Sequence, residues 1–155
     1  MGLTRTYPID TALQLEDGAA AISSTQVNTN AAGAQYLDLG ADSVVHGALV
    51  IQLTAISVAA GDGYELELQG GVDTGFTVGT NTILAYKHMG IGAVTGAVPG
   101  DTTANTTTGV YYIPFCNEVN GTVYRYVRLK ATLTATGSES ITYTAYLSTA
   151  KGLGS

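Results

Sequence analysis

The chain has 155 residues, of which 45% are hydrophobic and only 12% charged, and a net charge of −6. Six Lys and Arg spread over that length argue against a nucleic-acid surface, which rewards clustered cations, and no apolar run approaches the roughly 20 residues of a membrane span. A single cysteine, Cys116, excludes an intrachain disulfide framework, while abundant Thr, Gly (20) and Tyr (10) favour strands over helices.

The first segment, "YPIDTALQLEDGAAAISST" from Tyr7 to Thr25, is neither a targeting signal nor an obvious core element. Asp10, Gln14, Glu16 and Asp17 interrupt every apolar run that a secretory signal would need. Pro8 and Gly18 bracket a stretch too short to hold a helix by itself. The reading is an extended N-terminal arm over residues 1–18, followed by one domain over 19–155 made in the cytoplasm. Two Asn-x-Thr triplets, at Asn105 and Asn120, then read as coincidence.

Strand candidates follow in order. "AAAISSTQV" is a weak one and "QYLDLG" a short one. "ALVIQLTAISV" and "YELELQG" flank the Gly/Asp turn "AAGDG". In the first of these, Leu49, Ile51 and Leu53 share a face before the phase slips to Ile56 and Val58, as a β-bulge would cause. "TILAYKHM" comes next, then a long irregular segment from Gly90 to Gly109; loops of that length are usually functional or disordered. "VYYIPFCNEV" and "TVYRYV" flank Asn120-Gly121, a strong type I′ hairpin signal. Last, "VRLKATLTAT" and "ITYTAYL" alternate cleanly around "GSES" and read as a long antiparallel hairpin. Roughly eight short strands between Gly/Asn/Asp turns indicate an all-β, single-domain antiparallel sandwich of jelly-roll type.

Residues that could carry chemistry are scattered. His46 and His88 are far apart and in no metal-ligand cluster. Cys116 sits in an apolar strand, where a cysteine packs as a small hydrophobe; a nucleophile would need a partnered His that sequence does not place. Gly90, Gly92 and Gly96 miss the phosphate-loop spacing by one residue. Glu65 and Glu67 share a strand face and read as its solvated side. No catalytic, cofactor or metal role is expected, and the chain reads as a binding protein and not an enzyme. Arg125, Arg128 and Lys130 hold half the basic residues, with Arg128 and Lys130 on one face and Arg125 on the other. They form either an ordinary solvated face or a docking patch for an acidic protein. The Thr rows 132/134/136 and 142/144 are likewise solvated strand or a neutral, hydrogen-bonding contact surface.

The order "DTALQLEDGAAAISST", "QYLDLGA", "LVIQLTAISVAAGDGYELELQGGVDTGF" resembles the jelly-roll capsid cement (decoration) proteins of tailed bacteriophages, particularly those of short-tailed phages. "LQLEDG" at Leu13–Gly18, the "YLDLGA" strand and "LELQGGVDTGF" at Leu66–Phe76 carry the resemblance, which covers about the first half of the chain. It implies a structural protein on the outside of an icosahedral head that staples neighbouring copies of the major capsid protein. It also implies a homo-oligomer, with a dimer favoured over a trimer, and a terminal arm reaching across the shell. Leu13 and Leu15 would be the arm's apolar anchors, and deleting Met1 to Gly18 would leave a folded domain unable to bind shells. The rival reading is a receptor- or carbohydrate-binding sandwich of a phage tail, with Tyr111 or Tyr112 stacking on a sugar.

Overall fold

The computed structural model describes residues 11–59, 61–90, 106–134 and 138–149. Their strands are β1 (Gln14–Glu16), β2 (Gln26–Val27), β3 (Leu37–Asp38), β4 (His46–Ser57), β5 (Gly63–Gly71), β6 (Asn81–Gly90), β7 (Gly109–Cys116), β8 (Glu118–Val119), β9 (Thr122–Val123), β10 (Tyr126–Thr134) and β11 (Ser140–Thr149). One sheet, A, runs β1-β11-β4-β7; the other, B, runs β2-β10-β5-β6, with β3 also paired to β10. Every pairing between strands is antiparallel. The two sheets pack face to face as an all-β sandwich.

Side-chain alternation explains the sandwich. On β10, Val127, Leu129 and Ala131 are fully buried, while Arg128, Lys130 and Thr132 point the other way. Leu49, Ile51, Leu53, Ile141, Tyr143, Ala145 and Leu147 from sheet A meet Tyr64, Leu66, Leu68 and Met89 from sheet B in a single core. Each fully buried Leu or Ile contributes about 1.5–3 kcal/mol of transfer free energy. The phase slip in β4 is a bulge: Tyr143 pairs with Leu53 but Thr142 with Ala55, leaving Thr54 as the extra residue. Its hydroxyl donates to the Thr142 carbonyl at 3.0 Å, and Ile56 returns to register opposite Ile141.

The expected β10–β11 hairpin does not form. β10 pairs with β5 from Tyr126↔Gly71 to Thr134↔Gly63, whereas β11 pairs with β4 in the opposite sheet. Period-two alternation selects the buried face of a strand and carries no information about its neighbour, so two adjacent, cleanly patterned strands can belong to different layers. The same holds for β4 and β5, whose "AAGDG" connection crosses between sheets. Asn120-Gly121 does make its turn, with φ of 51° and 80°, but the hairpin it closes has only the two-residue arms β8 and β9. "VYYIPFC" belongs to β7 and pairs with β4. β6 ends at Gly90 and β7 begins at Gly109; the expected loop between them falls mostly on residues 91–105, which lie outside the described residues.

Part of the expected arm of residues 1–18 belongs to the sandwich instead. Thr11–Leu13 forms a 3-10 turn, and Gln14–Glu16 joins β11 as the edge strand of sheet A, with Gln14 opposite Tyr146 and Glu16 opposite Ala145. Leu15 is 3% exposed within the core, and Leu13 packs against that core. A free β11 edge and an apolar pair at alternate spacing suffice to draw this segment into its own sandwich. Residues 1–10 lie outside the described residues.

Candidate interaction surface

The outward sides of the two sheets differ in chemistry. On sheet B, Lys130 stands opposite Glu67, Thr132 opposite Glu65 and Arg128 opposite Gln69, with Tyr86 next to Glu67 on β6. The Arg128 Nε donates to Gln69 Oε1 at 2.9 Å, and its guanidinium lies 4.3 Å from the Phe76 ring centre. Gln69 Nε2 donates to Glu67 Oε2 at 2.9 Å. Burial raises the Glu65 carboxyl above its ordinary range, with Glu67 adding to the shift and Lys130 opposing it. Burial, helped by Glu65 and Glu67, pushes the Tyr86 phenol up to about 12.

Arg125 sits at one end of this sheet and grips Asp38 with a two-pronged contact, Nε to Oδ1 at 2.8 Å and Nη2 to Oδ2 at 2.7 Å. That fork, with the Gly40 N–H, draws the Asp38 carboxyl down to about 2. The guanidinium also lies 5.1 Å from the Tyr126 ring centre, and Tyr126 meets Tyr36 edge-on at 5.7 Å. Each of the three cations has a neighbour within this layer. Arg125 is neutralised by Asp38, Arg128 is bonded and stacked, and Lys130 belongs to a face of mixed sign. Alternation had grouped them by strand, but the carboxylates that answer them come from β3 and β5, distant in sequence.

The outward residues of β11, β4 and β7 in sheet A include no charged side chain among those described. Register lines up Gln14, Tyr146, Val50 and Tyr112 across β1, β11, β4 and β7. Ser148, Ala48 and Pro114 form the next row, with Thr144, Gln52 and Val110 on the other side. Val50 points away from the core yet is 0% exposed, because Tyr146 and Tyr112 flank it as cross-strand neighbours. Tyr146 is itself nearly buried, which raises its phenol, and Tyr112 beside it adds to the shift. Tyr112 and Val110 remain 53% and 46% exposed. A groove of about 470 Å³ opens beside them, lined by His46, Ala48, Tyr112, Pro114 and Ser148 among others.

At the groove's end His46 and Cys116 are a cross-strand pair, with Nε2 and Sγ 3.9 Å apart; the Glu118 N–H donates to the sulfur at 3.4 Å. Cys116 is thus half-exposed on the outer face, not core packing as its apolar strand suggested, and His46 is the partner that sequence could not place. No third His, Cys or carboxylate joins them among the described residues. His88 is on sheet B and buried. No protein-family model and no curated protein matches the chain.

A face of this kind is suited to contact and not to charge chemistry. Tyr and Val supply apolar area, and Thr, Ser, Tyr and Gln can desolvate at far less cost than ions. Of its residues, sequence reasoning reached Thr142, Thr144 and Tyr112 and missed Val50, Tyr146 and Gln52. The available signal was the unbroken apolar run "LVI" at 49–51: a strand apolar on both sides is covered on both sides.

Proposed function

We propose that this chain is a structural binding protein of a phage particle, a capsid cement protein that sits on the outside of the head and staples neighbouring copies of the major capsid protein. The observation that carries the reading is the outer face of β11, β4 and β7, where no charged side chain stands among the described residues and exposed Tyr112 and Val110 rim a sealed centre at Val50 and Tyr146. The sequence resemblance to cement proteins supplies the kind of particle. Supporting a jelly roll within the sandwich class, the first strand lies beside the last, and β1-β11-β4-β7 faces β2-β10-β5-β6 as two Greek keys folded over each other would give.

Cement function needs many modest contacts repeated over a shell, which together stabilise it strongly. The test is co-sedimentation of the purified chain with heads that lack it, alongside the temperature at which those heads disrupt. Saturable binding with a rise in that temperature is the expected result. The groove beside Tyr112 gives the tail-module reading its one specific support, since a half-exposed tyrosine at a groove edge can stack on a sugar. Binding to host surface glycans without binding to heads would transfer the protein to that class.

A further inference from the structure

We infer that His46 and Cys116 together hold a soft monovalent metal ion, copper(I), at one end of the groove on sheet A. The site is separate from the cement role and stands whichever particle carries the chain.

Register creates the pair. The two residues are 70 apart in sequence and meet because β4 and β7 run antiparallel with His46 opposite Cys116. Residues directly opposite on neighbouring strands point to the same side of a sheet, so imidazole and thiol project together from its outer side. His46 is exposed, Cys116 is half-exposed, and the groove lined by His46, Ala48 and Pro114 leaves a path for an ion to enter. The sulfur already has an outer partner in the Glu118 N–H, at 3.4 Å, which steadies a thiolate and leaves its other lone pairs for a metal. The Glu118 carboxylate is engaged elsewhere, accepting from the Gly121 N–H at 3.1 Å.

Donor chemistry selects the metal. Thiolate favours copper(I), zinc and iron–sulfur clusters, and imidazole favours zinc, copper, iron and nickel, so copper and zinc are common to both. Zinc takes three or four protein ligands, and no third His, Cys or carboxylate joins the pair among the described residues. Copper(I) is satisfied by two donors on opposite sides. Bonds of about 2.3 Å to sulfur and about 2.0 Å to nitrogen separate opposed donors by about 4.3 Å, and donors at a tetrahedral angle by about 3.5 Å. Nε2 and Sγ stand 3.9 Å apart, so one ion fits between them, and opening the pair by about 0.4 Å aligns it. Charge agrees with this choice. As the thiol gives its proton to solvent, Cu–S and Cu–N bonds form, no oxidation state changes, and the charges of thiolate and copper(I) cancel. The outward residues of β11, β4 and β7 thus stay free of net charge, which zinc(II) would break.

Anaerobic titration of the full chain with copper(I), in competition with a chromogenic copper(I) chelator, tests the site. The wild type should bind one equivalent, with X-ray absorption reporting one sulfur and one nitrogen on the metal. Its thermal midpoint should rise with the metal, because only the folded state brings the two ligands together. Cys116→Ser should abolish this binding and His46→Gln should weaken it by roughly tenfold or more, each with a metal-free far-UV spectrum like that of the wild type. A wild type that binds no copper(I), or binding that survives Cys116→Ser or is indifferent to His46→Gln, overturns the assignment. So does half an equivalent per chain, which would mean sulfur from two copies, or zinc(II) displacing copper(I) from the same two residues.

Discussion

Tyr112 and Tyr146 stand on either side of Val50 and bury a residue that points away from the protein's core. The outer face of sheet A is therefore built in two tiers, a sealed apolar centre and an exposed rim of Tyr112, Val110 and hydroxyls. Truncating the inner wall should cost stability. Tyr146→Ala, at a position only 8% exposed, is expected to destabilise by about 2–3 kcal/mol, and Tyr112→Ala by about 1 kcal/mol or less. Urea denaturation of the two variants beside the wild type checks the difference.

The N-terminal strand belongs to the fold, and Leu15 is its anchor in this chain's own core. Leu15→Ala should cost about 3 kcal/mol, with a smaller loss for Leu13→Ala, which is only partly buried. Deleting residues through Glu16 should lower the thermal midpoint as well as any shell binding, because it strips the edge from β11. Shell binding lost with stability intact would restore the free-arm account.

Asn117 is fully buried at the junction of β7 and β8 and ties three segments together. Its Oδ1 accepts from the Val45 N–H at 2.6 Å, and its Nδ2 donates to the carbonyls of Ser43 at 2.9 Å and Tyr124 at 3.0 Å. Asn117→Ala leaves those backbone groups without this partner and should destabilise by about 2–3 kcal/mol, measurable by the same denaturant titration.

Acid should first strengthen this protein and then weaken it. Burial is the largest influence on Glu16 and holds its carboxyl above the ordinary range against the opposing Gly18 N–H; Glu65 is raised for the same main reason. A raised carboxyl binds its proton more tightly folded than unfolded, so this contribution is fully present below the ordinary carboxylate range and is lost as pH rises through the raised values. Asp38 acts in the opposite sense: its contribution is present above the ordinary range and disappears as pH falls through about 2. Thermal midpoints should thus rise on moving from neutral into mildly acid solution and fall in strong acid. Glu16→Gln, which keeps an acceptor for the Gly18 N–H, should raise the neutral midpoint and flatten the slope above mildly acid pH.

Most strands were legible because each long one carries its own alternation or apolar run, and the Thr54 bulge was legible as a phase slip within "ALVIQLTAISV". Partners were not. Nothing in Val127–Thr136 or Ile141–Leu147 says that the two strands lie in opposite sheets, because pairing is fixed by how the whole set of faces closes a common core. Leu13 and Leu15 looked like anchors awaiting a partner since sequence does not show that β11 has an open edge beside them. The site was half legible. Thr142 and Thr144 raised a neutral contact surface, but its centre depends on the register that sets Val50 between two tyrosines from strands far apart in sequence.

The central claim is a shell-wide structural role, and copy number tests it most directly. On the proposed cement role, quantitative mass spectrometry of purified phage particles that carry this chain should return a count equal to that of the major capsid protein or a simple fraction of it. A handful of copies per particle, or none, would contradict the account.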